Sequence, residues 1–120
     1  MRSSTKQTGD WGEDLAAAEL EKAGYKIIDR NFRTRFGEID IIAEDGNTLV
    51  FVEVKAKSST KYGAPAEMIT RRKQHKLKLM SQYYVQEKEY KGPWRIDAVT
   101  ILGDELSYKI EILKNIIPIA

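Results

Sequence analysis

The chain has 120 residues, 42% of them hydrophobic and 32% charged, with a formal net charge of +2; this suits one globular domain with a single core and little to spare. It contains no cysteine, so disulfides, thiolate metal sites and cysteine nucleophiles are excluded. No apolar run approaches the ~18 residues that a membrane helix needs, and the amino terminus lacks the apolar stretch of a secretory signal, so a cytoplasmic protein with no membrane partner is expected.

Residues 1–7 are polar and read as a loose segment ahead of one domain over residues 8–120. From about Thr8 to Ala23 the alanines, leucines and glutamates recur at helical spacing, and Gly24 is a stop signal. Tyr25–Thr34 reads as an extended segment. Gly37–Glu44 and Thr48–Lys57 follow as strands around the tight turn "EDGN". "KSSTKYGAP" is a loop by composition, and Pro65 stands near the start of a second helix, roughly Glu67–Lys88, which "KGP" ends. Trp94–Leu102 and Glu105–Leu113 are two further strands around a "GD" turn. The expected order is αβββαββ, an α/β domain. The apolar tail Ile112–Ala120 either completes the core or buries a homodimer interface.

The hairpin holds the residues that need explaining. In "TLVFVEVK" Val50, Val52 and Val54 share one face by alternation, while Leu49, Phe51, Glu53 and Lys55 share the other. In the preceding strand Ile39, Ile41 and Ala43 oppose a face with Glu38, Asp40 and Ile42. A turn at Gly46-Asn47 sets Asp40 against Glu53, and a turn at Asp45-Gly46 sets it diagonal to Glu53. Both registers leave Asp40, Glu53 and Lys55 on one side. Two carboxylates about 4 Å apart repel by roughly 4 kcal/mol at an effective dielectric near 20. A shared proton, a lysine or a divalent cation must offset this. Magnesium takes oxygen ligands, one or two carboxylates with water and phosphate. With Lys55 beside it, the set suits phosphodiester hydrolysis.

On the first helix Glu13 heads an otherwise apolar row of Ala16, Ala17 and Leu20. Asp10 and Asp14 would complement the helix dipole as well as Glu13 does, so the dipole does not single it out. Net charge is nearly balanced, but Lys57, Lys61, Arg71, Arg72, Lys73, Lys76 and Lys78 crowd one stretch against Glu67 alone. Arg33, Arg35, Lys57, Arg71, Arg72 and Lys73 are the candidate phosphate contacts, and such contacts position a duplex without reading its sequence. The lone His75 lacks a histidine partner for a metal cluster and reads as a surface residue. Asp97, an acid in an apolar strand, reads as a supporting or sheet-edge residue.

Asp40 followed by Glu53-Val54-Lys55 resembles the D…(D/E)-x-K signature of restriction-endonuclease-like nucleases. The longer string "GDWGEDLAAAEL", "NFR", "GEIDIIA", "TLVFVEVK" and "PWRIDAV", in that order from Gly9 to Val99, is similar to the YraN family of small bacterial proteins, and through it to archaeal Holliday-junction resolvases. The resemblance implies a mixed sheet flanked by helices and a Mg²⁺- or Mn²⁺-dependent DNA endonuclease, with branched DNA as the expected substrate and a 5′-phosphate as product. It implies Asp40, Glu53 and the Val54 carbonyl as metal ligands, Lys55 as the catalytic lysine and Glu13 as completing the site. Ile39 stands where many relatives have proline, and Lys57 where arginine is expected, which turns a bidentate phosphate contact into a point charge. A nucleic-acid-binding module that keeps the fold without turnover is the second reading.

Overall fold

In the computed structural model, which describes residues 4–61 and 63–117 with side chains from residue 11 onward, β1 (Lys26–Thr34), β2 (Gly37–Asp45), β3 (Thr48–Lys57), β4 (Trp94–Gly103) and β5 (Tyr108–Leu113) lie side by side in chain order in one mixed sheet. β3 and β4 run parallel, and the other neighbours are antiparallel. A parallel pair needs a crossover, which helix α2 (Arg71–Glu87) supplies, while helix α1 (Ser4–Lys22) leads into β1.

Each helix covers one face of the sheet. Against α1 lie Ile41, Ala43, Val50, Val52, Val99 and Ile101, packed on Ala16, Ala17 and Leu20. Against α2 lie Ile42, Leu49, Phe51 and Ile96, packed on Leu77, Met80 and Tyr84. This two-sided cover is why β3 reads as a nearly continuous apolar run. Phe51 meets Tyr84 and Trp94 edge-on, with centroids 5.5 and 5.6 Å away, a geometry that aromatic quadrupoles favour.

The element order differs from the expected αβββαββ by a 3-10 helix, Pro65–Met68, between β3 and α2. The second helix therefore starts at Arg71 rather than Glu67, where the Thr70 hydroxyl accepts from the Lys73 N–H at 3.2 Å and caps it. The first helix starts at Ser4, so residues 4–7, expected to be loose, are helical; residues 1–3 of that segment lie outside the described residues. Apolar spacing marks only the stretch of a helix that is buried, so an earlier polar turn leaves no such mark.

Both helices end in the same way. Gly24 (φ 98°) follows α1, with its N–H donating to Glu21 O at 3.0 Å and the Tyr25 N–H to Leu20 O at 2.9 Å. These are the paired bonds of a Schellman motif. α2 repeats them with Glu89 N–H to Gln86 O (3.1 Å) and Tyr90 N–H to Val85 O (2.9 Å), but Glu89, not glycine, holds the left-handed position at φ 52°.

The described part of the apolar tail completes the core. Ile116 N–H donates to Ile96 O at 2.8 Å, Ile117 is buried, and Leu113 and Ile116 pack on the α2-side cluster. Asp97 anchors this closure. It is wholly buried on β4, which is an inner strand and not a sheet edge, and accepts from Tyr25 Oη (2.8 Å), Arg95 Nε (2.9 Å) and the Asn115 N–H (2.8 Å). Burial, then the Asp97 carboxylate, pushes the Tyr25 hydroxyl up to about 12.

Candidate metal centre

The sheet forks where the acids meet. A two-residue turn at Gly46 (φ 63°) and Asn47 sets Asp45 opposite Thr48, and the β2–β3 ladder then runs to Ile41 opposite Val52 and ends. Beyond that point β2 stays paired to β1 as far as Gly37, and β3 stays paired to β4 as far as Lys57. The Val54 N–H, left without a ladder partner on the β2 side, donates to Asp40 Oδ2 at 2.8 Å. A side chain thus replaces a strand in satisfying a backbone donor. This turn selects, of the two registers that the sequence allowed, the one that aims Asp40 at Glu53.

At the same level β2 rolls over. Ile41 and Ala43 pack on the α1 side, but Ile39, expected to share their face, joins the α2-side cluster. β1 turns with it: Arg30 reaches Asp14 on α1 at 2.7 Å, whereas Phe32 packs edge-on against Tyr84 of α2 at 5.1 Å. Between them Asn31 sits at φ 57°, a conformation that asparagine tolerates better than most residues. Simple alternation fails here because both strands twist to follow the fork.

The result is a carboxylate cluster. Glu13, Glu38 and Asp40 each offer an oxygen, and these three atoms lie within 4.8 Å of one another. Glu13 is buried on the α1 row with Ala16, Ala17 and Leu20. Glu53, 1% exposed, is within hydrogen-bond reach of Asp40, and Lys73 Nζ stands 3.1 Å from its carboxylate. Arg33 Nε lies 3.3 Å from Glu38, and Arg30 Nη2 lies 3.7 Å from Glu13. Burial pushes the Asp40 carboxyl up to about 8; the hydrogen bond to Glu53 and its charge add to this, the Val54 N–H opposes it, and Glu13 adds a smaller push. A carboxyl held near neutrality in this way marks crowded negative charge that a cation would relieve.

The donor set fits a hard divalent ion. All the donors are carboxylate oxygens, the ligands that Mg²⁺ and Mn²⁺ prefer over nitrogen or sulfur. Oxygens around an octahedral ion at 2.0–2.1 Å are about 3 Å apart when adjacent and about 4.2 Å apart when opposite. The cluster's oxygens, all within 4.8 Å of one another, occupy a space of that order.

Of the residues singled out in the sequence, Glu13 and Asp40 meet in the cluster and Glu53 adjoins it. Val54 contributes its N–H to Asp40. Lys55 is half-buried, two residues beyond Glu53 in a regular stretch of β3, and so follows the face of Glu53. Lys73 is ion-paired to Glu53, and Arg33 to Glu38. The Arg35 guanidinium lies over the Phe36 ring at 5.0 Å. Lys57 is turned into the following loop, its Nζ donating to Gly63 O at 2.9 Å. Arg71 and Arg72 are exposed in the first turn of α2, and His75 is exposed further along. Sequence reasoning passed over Glu38. The signal was there: it lies two residues before Asp40, on the same face.

The model of the uncharacterised protein family UPF0102 matches residues 12–101. Similar relatives include a UPF0102 protein of Syntrophus aciditrophicus, 44% identical over 115 residues that make up 95% of this chain and 91% of the relative. One of Caldicellulosiruptor saccharolyticus is 47% identical over 97 residues, covering 80% of this chain and 82% of the relative. A third, of Clostridium botulinum, is 40% identical over 119 residues, 96% of this chain and 97% of the relative.

Proposed function

This chain belongs to the uncharacterised protein family UPF0102, and from the chemistry of its carboxylate site we propose that it is a Mg²⁺- or Mn²⁺-dependent DNA endonuclease with a restriction-endonuclease-like fold. The observation that carries this reading is the convergence of Glu13, Glu38 and Asp40, with Glu53 alongside, at the fork between β2 and β3. Crowded, largely buried carboxylates cost stability, and a bound cation offsets that cost.

Glu13, Glu38 and Asp40 would hold the cation, with Glu53 supporting Asp40 from the other strand. When bound there, a divalent cation would supply Lewis-acid polarisation of a phosphate and an acidified water. Asp40 would have to lose its proton to hold a cation, so affinity is expected to rise with pH. Lys73 keeps the buried Glu53 carboxylate compensated. Lys55, on the face of Glu53, sets an ammonium where charge develops on the phosphate oxygens. Arg33, Arg35, Arg71 and Arg72 grip the backbone. The first turn of α2 holds Arg71, Arg72 and Lys73 and no acid. Those charges oppose the helix dipole, and a phosphate strand would compensate them. Such contacts favour selection by DNA shape over sequence, with branched DNA as the class that the resemblance implies.

The test is cleavage of linear, nicked, flapped and four-way DNA in Mn²⁺ or Mg²⁺, with and without chelator. Cleavage is expected to leave a 5′-phosphate and to need the metal. Asp40→Asn, Glu13→Gln and Lys55→Ala should each lose at least about 10²-fold in rate while keeping a cooperative unfolding transition. Failure to cut any of these substrates with either ion refutes the assignment.

A further inference from the structure

The tip of the β1–β2 hairpin joins the carboxylate cluster to two exposed aromatic rings. A cavity of about 330 Å³ is lined by Arg33, Thr34, Gly37 and Glu38, the last a member of the cluster. A second, of about 370 Å³, is lined by Thr34, Arg35, Phe36 and Tyr83. Thr34 lines both, so the two adjoin, and Phe36 lies in the turn two residues before Glu38.

Phe36 and Tyr83 are 36% and 45% exposed and belong to neither buried apolar cluster. They come from separate elements, the hairpin tip and α2, yet wall one cavity. The tip that presents them is set in place: Thr34 Oγ1 accepts from the Phe36 N–H at 3.0 Å and donates to Gly37 O at 3.1 Å. Arg35 stands over Phe36, and Arg33 lies on the path to the cluster.

Two exposed rings with guanidinium groups beside them, one lying over Phe36, suit a flat, π-bearing ligand attached to an anion. Within a nucleic acid that ligand is a nucleobase with its phosphate. At about 370 Å³ and partly open to solvent, the Phe36–Tyr83 depression has room for one base. Bases in an intact duplex are stacked out of reach, so only an unpaired or extruded base can enter. We infer that the Phe36–Tyr83 cavity is a base-stacking subsite that takes an unpaired nucleotide adjoining the phosphate at the carboxylate cluster. This rests on the endonuclease reading and names its substrate feature: an unpaired nucleotide beside the scissile bond.

The experiment compares two fluorescein-labelled DNA duplexes of one sequence, each with a single 2-aminopurine, paired in one and unpaired in the other. Binding is read in EDTA by anisotropy and by 2-aminopurine fluorescence. The wild type is expected to bind the unpaired form about tenfold more tightly, a ~1.4 kcal/mol preference, and to quench its 2-aminopurine. Phe36→Ala and Tyr83→Ala should bring the affinity ratio towards one and lose the quench, whereas Tyr83→Phe should keep both. Both rings are exposed, and matching thermal transitions check that the variants fold. Equal binding of the two duplexes by wild type, a preference that survives both alanine variants, or no binding to either duplex overturns the subsite. Cleavage of DNA with a preference insensitive to both rings removes the subsite and leaves the nuclease assignment standing. Ring-dependent binding without cleavage in Mn²⁺ does the reverse.

Discussion

Replacing Asp40 with asparagine should make the metal-free protein more stable and remove its response to metal. The Asp40 carboxyl stands at about 8 in the folded protein against 3.8 for an ordinary aspartate. Between those values the folded state keeps a proton that the unfolded state has lost. Folding stability therefore falls by ~1.4 kcal/mol per pH unit across that window, is intact below about pH 4 and is fully spent above about pH 8. At pH 7 the cost reaches ~4 kcal/mol as an upper bound, and relaxation with water entry at the half-buried site brings the expected measured value to about 2–3 kcal/mol. Asparagine is neutral throughout. It keeps an oxygen for the Val54 N–H and offers Glu53 an N–H in place of the shared proton. Urea unfolding in EDTA at pH 5, 6, 7 and 8 should show wild-type stability declining and the variant flat. The gap should open to about 2–3 kcal/mol, or roughly 10 °C in Tm. Adding Mn²⁺ at about 100 times its Kd should return ~2.7 kcal/mol to the wild type and little to the variant. Wild-type stability that holds level or rises from pH 5 to pH 8, with no gain for asparagine, would refute the argument from crowded carboxylates.

The buried Asp97 network predicts a large loss. Asp97→Ala leaves the Tyr25 hydroxyl and the Asn115 N–H without their acceptor and the Arg95 guanidinium with Asp45 as its remaining carboxylate, so denaturant unfolding should show a loss of about 2–4 kcal/mol. At the end of α2, Glu89→Gly should add about 1 kcal/mol by relieving a left-handed conformation, and Glu89→Ala should add nothing, because alanine bears the same clash.

Much of the candidate site was legible in the chain itself, for a local reason. A period of two sorts the two faces of β3, and it set Val50 and Val52 against Phe51 and Glu53 correctly. A helical period placed Glu13 in the buried row with Ala16, Ala17 and Leu20. Gly24 announced the end of α1, and Asp40 and Glu53 stood out because acids are costly in apolar strands. Tertiary structure alone decided the rest. Ile39 changed sides because β2 leaves β3 and twists with β1 at the fork. Lys73 found Glu53, and Lys57 turned to Gly63, through contacts that helical or strand spacing does not encode. Periodicity records which way a residue points along its own element. Where two strands part, and which distant charge then fills the gap, depends on the pairing, twist and packing of the whole sheet.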